Sequence, residues 1–405
     1  MKGWMGRFRA LFLLSGLALI LTGCGNPYLS ALQPKGEGAD MILDLMILSI
    51  IIMLFVFLVV MAIYVFVVVK FRQKKGEEDY IPKQVEGNRI LETIWTVIPI
   101  ILLLILAVPT VQYTFALSDT TPESTEGEEA ENTDDALWID VTGKQFWWNF
   151  DYRDTSVQTS QDLYIPTDKR VYIKLSSGDV IHSFWVPSIS GKMDVNPGKN
   201  ENEMFIKAEE EGVYWGHCAE FCGPSHSLMD FRIVAVSPGE FDQWMSDMQN
   251  VDPEAEPEDS SAREGKQLFS DNSCMGCHAV GSSPAMMGPN VTNFGDRSKV
   301  AGVLDYNKEN IVDWIMDPEK HKPGNSMTGN YTIPSEEDAE KIADYLMSLS
   351  PSEIGPDDAQ DDDYVQPQKK EESEQEGNEN NDEGNSNENN QEENNDDNTN
   401  EDEEN

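Results

Sequence analysis

The sequence is short of the residues from which many sites are built. Five cysteines and five histidines are spread over 405 residues, and 29 Lys and Arg stand against 73 Asp and Glu, for a formal net charge of -44. So acidic a chain is a poor match for nucleic acid, which is bound by neutralising phosphates with basic side chains. Cys24, Cys218, Cys222, Cys274 and Cys277 each fall in a short motif, which leaves none for a structural disulfide. Cys218 and Cys222 have no second thiol pair beside them, which argues against an iron–sulfur cluster. A zinc site at Cys274 and Cys277 would need further thiols or imidazoles, and only His321 follows them.

The charge is uneven. From Asp357 to Asn405 the chain is mostly Asp, Glu and Asn, with only Lys369 and Lys370 as cations. Such a segment has too little apolar surface to offset its ordering entropy, so residues 352–405 are expected to be a disordered acidic tail. At the other end Lys2, Arg7 and Arg9 precede the apolar run Ala10 to Leu21, the layout of a secretory signal over residues 1–23. Leu21-Thr22-Gly23-Cys24 then resembles the lipobox of bacterial lipoproteins, which would make Cys24 a lipid anchor. The alternative is an ordinary signal with an incidental cysteine.

Met41 to Val69 is apolar apart from Asp44, long enough to cross a hydrocarbon layer of about 30 Å. Thr93 to Val111, behind Glu92 and with Pro99 and Pro109 inside, is expected to be a second span, giving a transmembrane hairpin over residues 24–117. Between the spans lie Lys70, Arg72, Lys74, Lys75, Lys83 and Arg89. Short basic loops stay cytoplasmic, so both ends of the hairpin are expected on the outer side of a bacterial cell membrane.

Residues 118–136 read as an exposed linker. Residues 137–249 hold short apolar runs broken by Pro and Gly and with no intervening helix, which predicts an antiparallel sandwich or Greek-key barrel ending in a short helical piece. A Pro/acid run over 250–260 reads as a semi-extended linker. Residues 261–351 predict a small helical domain, with helices around Arg263 to Phe269, Lys308 to Met316 and, behind the N-cap Ser335, up to Leu349.

Two thiols, an imidazole, a thioether and a carboxylate fall within Cys218-Ala219-Glu220-Phe221-Cys222-Gly223-Pro224-Ser225-His226-Ser227-Leu228-Met229. Soft sulfur ligands with imidazole favour copper over magnesium or calcium. The ligand set chosen is His182, Cys218, Cys222, His226 and Met229, with a backbone carbonyl from Glu220. Two bridging thiolates could hold two copper ions. His182 would reach the loop only if the sandwich gathers its loops at one end. His217 points away from Cys218 in an extended segment and is left out. The alternative is a Cys218–Cys222 disulfide.

Cys274-Met275-Gly276-Cys277-His278 is a C-x-x-C-H sequence, in which two thiols can form thioethers to a haem and the histidine can bind its iron. For the sixth ligand Met327, in a Pro/Gly-turned loop, is preferred over Met286, Met287, Met316, Met347 and His321; Met316 and Met347 sit at helical spacing and are expected in the core. The dense run Phe146-Trp147-Trp148-Asn149-Phe150-Asp151-Tyr152 predicts a half-buried strand whose other half is an exposed aromatic face where electrons enter, through Phe146, Trp147 and Trp148.

From Met41 to Leu349 the chain resembles subunit II of haem-copper cytochrome c oxidases, specifically the caa-type with a C-terminally fused c-type cytochrome. The motifs are Leu91-Glu92-Thr93-Ile94-Trp95-Thr96-Val97-Ile98-Pro99, Gly143-Lys144-Gln145-Phe146-Trp147-Trp148, His182-Ser183-Phe184 and the Cys218 to Met229 loop. The resemblance implies a cupredoxin fold, a class I cytochrome c domain, a dinuclear copper centre (CuA) on the ligands above, and one covalent haem c. It implies electron flow onward to haem in subunit I, oxygen reduction coupled to proton translocation, and partnership with subunits I and III. Glu92 would sit at the mouth of a proton channel, and the Glu220 side chain would approach a magnesium ion. The donor would be a cytochrome bc-type complex or a small cytochrome c. Where relatives served by free cytochromes have Trp after Gln, this chain has Phe146, a change that a tethered donor tolerates. Quinol oxidase subunits share the hairpin and sandwich but lack the copper ligands. The competing reading is a membrane-anchored copper and haem electron carrier of a non-oxidase system, such as nitrous oxide reduction.

Overall fold

The fold, taken from a computed structural model, is described for residues 15–16, 28–72, 84–122, 136–198, 201–282, 287–356 and the backbone of 367–369. The signal segment apart from residues 15–16, Cys24, Lys74, Lys75, Lys83, Met286 and nearly all of the acidic tail lie outside the described residues.

Two long helices come first, α1 (Glu37–Lys70) and α2 (Arg89–Ser118). At 34 residues α1 is about 51 Å long, more than a hydrocarbon layer requires. α2 starts on the Asn88 side chain, which accepts from the Ile90 and Leu91 amides, and runs through Pro99 and Pro109. Large apolar side chains are exposed along both helices, a surface suited to lipid or to other membrane helices. Asp44, the one acid within the apolar stretch of α1, meets the Tyr113 hydroxyl of α2 at 3.4 Å. The foot of α1 is tied to the next domain: the Ala39 amide donates to Ile189 O at 3.0 Å, and Arg170 grips the Glu37 carboxylate.

That domain is a sandwich of ten strands. One sheet runs β3 (Gln158–Ser160), β2 (Trp147–Tyr152), β1 (Trp138–Lys144), β5 (Val171–Ser177), β8 (Asn202–Ile206); the other runs β4 (Asp162–Pro166), β10 (Asp230–Val236), β9 (Gly212–Cys218), β6 (His182–Trp185), β7 (Lys192–Val195). The sheets are not purely antiparallel as expected, because β1–β5 and β4–β10 pair in parallel. Side chains alternate along β1 and β2, and the buried ones fill the space between the sheets. At its centre Phe184 stacks on Phe231 with ring centroids 4.6 Å apart, and Trp148 meets Phe184 edge-on at 5.7 Å. Helix α3 (Pro238–Gln249), opened by a Ser237/Glu240 capping box, closes one end by stacking Trp244 on Tyr164 at 4.3 Å.

The aromatic run therefore differs from its expected exposure. Phe146 is 2% exposed and Trp148 is fully buried, so the outward half of the strand presents only Trp147 among its aromatics. The alternation holds, but the large rings fall mostly on its inner side.

A small helical lobe follows, with α4 (Ser260–Asp271), α5 (Lys308–Met316), the single turn α6 (Pro318–His321) and α7 (Glu336–Ser348). Ser335 caps α7 by accepting from the Asp338 amide, and α7 buries Ala339, Ile342, Ala343, Tyr345 and Leu346. Met316 packs on this core, whereas Met347, also expected there, is 36% exposed. The Pro/acid segment before α4 is pinned rather than free: Lys266 Nζ donates to the carbonyls of Glu254 and Ala255, each at 3.0 Å.

Candidate copper and haem sites

β9 delivers Cys218 at its last position, and the following loop returns through a 3-10 turn, His226–Leu228, into β10. Backbone bonds fasten the loop, among them Cys218 N to Met229 O (3.2 Å), Ala219 N to Ser183 O (2.9 Å) and His226 N to Gly223 O (3.1 Å). Because Phe184 of β6 pairs with Cys218 of β9, His182 arrives beside the loop from 36 residues upstream.

The expected ligand atoms converge. Cys218 Sγ lies 3.9 Å from Cys222 Sγ, 3.9 Å from His182 Nδ1 and 3.2 Å from Glu220 O. Cys222 Sγ lies 3.7 Å from His226 Nδ1 and 3.8 Å from Met229 Sδ. With metal–thiolate bonds of about 2.3 Å, sulfurs at this spacing can bridge common ions, whereas a disulfide would bring them to about 2 Å. His182, Cys218 and Cys222 have ligand atoms all within 4.8 Å of one another and are all buried.

The electrostatics suit a metal. The hydrogen bond from Cys222 pulls the Cys218 thiol far down, against burial and with help from His182, while holding that same proton pushes Cys222 far up. The pair thus gives up its first proton readily and the second only to something that replaces it, such as a cation. Burial opposes a charge on His182, but Asp179, whose Oδ1 sits 2.8 Å from Nε2, and the Cys218 sulfur together outweigh it and leave the pKa raised. That carboxylate also fixes the ring so that Nδ1 faces the thiols. Asp179 was missed in the sequence, although it stands in the polar turn just ahead of His182. His217 instead bonds Asp230 at 2.6 Å, outside the cluster. Glu220 keeps its carboxylate near the loop, accepting from the Phe221 amide at 3.1 Å.

In the helical lobe Cys274 opens a single 3-10 turn, and both Cys277 N and His278 N donate back to Cys274 O, at 3.1 and 2.9 Å. Both thiols and His278 line one deep apolar cavity. His278 Nδ1 is bonded to Pro289 O at 2.9 Å, which leaves Nε2 as the nitrogen available to iron, and burial lowers the pKa so that the ring stays neutral. Gly288 is required behind it: a Cβ there would lie 2.8 Å from His278 Cε1. Among the candidate sixth ligands, Met287 and Met327 line the cavity. His321 is engaged by Asp313 at 2.8 Å. The donors and the apolar walls therefore fit a haem c.

Phe146 and Trp147 of the copper domain are also part of the wall of this cavity, with Gln145 and Gln161. Beside them Gln145 Nε2 donates to Cys222 O at 2.6 Å, Ser225 Oγ donates to Pro323 O at 2.8 Å, and Lys322 Nζ donates to Phe146 O at 2.9 Å. The loop that carries Met327 thus rests on the loop that carries Cys222 and His226. Sequence patterns gave no sign of this seam.

A membrane-type hairpin, a sandwich with a two-thiol cluster and a helical lobe with C-x-x-C-H over an apolar cavity define a membrane-bound electron carrier with copper and haem in one chain. Family descriptions agree: "Cytochrome C oxidase subunit II, transmembrane domain" matches residues 30–113, "Cytochrome C oxidase subunit II, periplasmic domain" residues 155–236, and "Cytochrome c" residues 262–350. The chain is 46% identical over 353 residues to cytochrome c oxidase subunit 2 of Bacillus subtilis, covering 84% of this chain and 98% of that one. Its identity to cytochrome c oxidase subunit 2 of Alkalihalophilus pseudofirmus is 49% over 350 residues, covering 86% and 99%. Quinol oxidase subunit 2 of Bacillus spizizenii is 36% identical over 253 residues, 61% of this chain and 75% of that one. The solved periplasmic domain of subunit II of cytochrome oxidase from Bradyrhizobium japonicum is 28% identical and covers 27% of this chain and 91% of its own, at a TM-score of 0.26 too low to bear on the fold. The chain belongs to the cytochrome c oxidase subunit II family, in the caa-type form with a fused cytochrome c domain, and is a membrane-bound subunit of a terminal oxidase.

Proposed function

We propose that this chain accepts electrons at its cytochrome domain and delivers them through its copper domain to haem in subunit I, where oxygen is reduced and protons are moved. Bound haem c and a dinuclear copper centre supply the one-electron chemistry; methionine ligation of the iron would raise its potential, as suits a carrier. Cys274 and Cys277 anchor the haem, and His278 and Met327 ligate it. Gly288 packs Met287's segment against His278, so Met327, which lines the same cavity from a separate loop, would be the sixth ligand. His182, Cys218, Cys222, His226, Met229 and the Glu220 carbonyl would hold two copper ions per chain, and the Glu220 carboxylate would serve a magnesium ion at the interface with subunit I.

The observation that carries this reading is the position of one short peptide. Gln145 bonds the Cys222 carbonyl while Phe146 and Trp147 line the cavity over His278. Electrons are thus taken up by the copper domain through Phe146 and Trp147, with Trp148 behind them in the core. An exposed docking face is not needed, because the donor domain already covers it. The upstream donor, a cytochrome bc-type complex or small cytochrome c, meets the cytochrome domain. The basic segment between α1 and α2 supports a topology with both globular domains outside the cell membrane, in which Glu92 lies on the inner side at a proton path and Cys24 is a lipid anchor. Domain limits follow as 137–249 for copper and 261–351 for haem.

Purification of the native complex should return two coppers and one haem c per chain together with an a-type haem subunit and subunit III. Replacing Cys218 and Cys222 by Ser should remove the copper and its near-infrared band while the haem c remains. Copper retained in that variant would refute the site, and a complex without a-type haem would refute the oxidase assignment.

A further inference from the structure

We propose that the two carboxylates of the haem are held across the seam between the domains, by Lys322 and Arg297 of the cytochrome domain and the Gln161 amide of the copper domain. This rests on the haem reading above and adds to it the residues that meet the acidic edge of the haem.

All three side chains line the cavity that holds His278, alongside apolar walls such as Phe269, Val291, Ile311 and Leu346. Among the described residues Lys322, 2% exposed, makes one hydrogen bond, to Phe146 O, although an ammonium carries three donors. A buried ammonium is strongly disfavoured unless an anion faces it. Burial pushes its pKa down to about 7, and the acid that acts on it is Asp230, which pulls only partly the other way. Lys322 is thus placed as a cation that lacks a carboxylate, and a haem brings two.

Arg297 is 4% exposed; it donates to Asn290 O at 2.6 Å, and its Nε has no partner among the described residues. Asp162, Asp296, Tyr164 and Tyr306 act on its charge. Gln161 is 3% exposed; its Oε1 accepts from the Trp148 amide at 3.4 Å, and its Nε2 has no partner among the described residues. Its backbone is held in the left-handed region, φ 71°, where a non-glycine residue is uncommon and where such outliers cluster at functional sites. The amide points across the seam, into the place where a side chain on Gly302 of the cytochrome domain would begin. Lys322 and Gln161 bond the backbone of Phe146 and Trp148, two residues apart, and Arg297 lies within electrostatic reach of Asp162, the neighbour of Gln161, so buried donors from two domains meet on this stretch of the cavity wall.

The test uses the full chain in its native complex and reads the midpoint potential of haem c by redox titration between about pH 6 and pH 8. A nearby cation favours the reduced iron, so Lys322→Met should lower the reduction equilibrium constant about tenfold, a shift of roughly 59 mV for one electron. The haem carboxylate left unpaired would rise in pKa and take up a proton on reduction, so the potential should also gain a pH slope absent from the wild type. Lys322→Arg should restore both. Gln161→Leu, a change in the copper domain, should lower the haem potential in the same direction. A wild-type potential and slope in Lys322→Met overturn the proposal, as does failure of Lys322→Arg to restore them. Should Lys322→Met not take up haem, Gln161→Leu decides, and an unchanged potential there refutes it. A pyridine haemochrome spectrum of the wild type without c-type haem would instead defeat the underlying haem reading.

Discussion

Asp179 shows how much of the copper site rests on a residue that ligates nothing. Its carboxylate holds His182 Nε2 at 2.8 Å and accepts from the Gln145 amide at 2.6 Å, so it orients both a ligand and the peptide that runs to the haem cavity. Asp179→Asn keeps the size but loses the charge, and partners of this kind are worth about 10–100-fold in metal affinity. Copper titration of the variant should show a loss in that range with the thiols still intact. The residue scale is also where the sequence was most readable. Cys218, Cys222, His226 and Met229 lie in one loop, and Cys274, Cys277 and His278 are consecutive or nearly so, so local spacing alone exposes them. Asp179, Gln145 and Lys322 act through contacts that only the folded chain creates, and a lone polar residue in a turn carries no signature of its partner.

At the scale of elements, the two domains are fixed by different kinds of contact. The sandwich is held by buried side chains, which alternate along β1 and β2, and its short apolar runs between Pro and Gly made the domain legible before the structure. β9 was not legible, because Gly212-Val213-Tyr214-Trp215-Gly216-His217-Cys218 is broken by glycine and runs into the ligand loop, and the short edge strand β7 has exposed residues at two of four positions. The aromatic strand shows the limit of the same rule: alternation says that one face is buried but not how many rings that face takes. The helical lobe depends instead on a close crossing of α4 and α7. A Cβ on Gly265 would sit 1.9 Å from the Lys341 carbonyl oxygen. Because that atom is backbone and cannot swing aside, Gly265→Ala should force the helices apart and cost about 1–3 kcal/mol. Thermal unfolding followed at the haem Soret band should show the loss in this lobe, while the copper band keeps its wild-type midpoint.

For the whole molecule, the arrangement turns a sequence expectation around. The Pro/acid stretch before α4 suggested a tethered donor that reaches the copper domain by effective concentration. The structure has a packed seam instead, in which Phe146 is buried, Ser225 bonds the Pro323 carbonyl and Lys322 bonds the Phe146 carbonyl. Fixed contact removes the search that a tether would require, so transfer between the two sites should not depend on the length of that segment. The foot of α1, clamped through Glu37 to Arg170, sets the same sandwich against the membrane hairpin. One rigid domain therefore links the helices on one side to the haem lobe on the other. Its period and turn signals were readable in the sequence; the two surfaces it joins were not, since neither has a repeating pattern.

The proposed route takes electrons from the cytochrome domain to the copper domain within one chain. Flash reduction of haem c in the purified oxidase, following the haem band and the near-infrared copper band together, puts that route to the test. Haem reoxidation and copper reduction should share one rate, independent of protein concentration, and haem c should stay reduced when Cys218 and Cys222 are both Ser. Haem c that reoxidises equally fast in that variant, or copper that is reduced without it, would rule the route out.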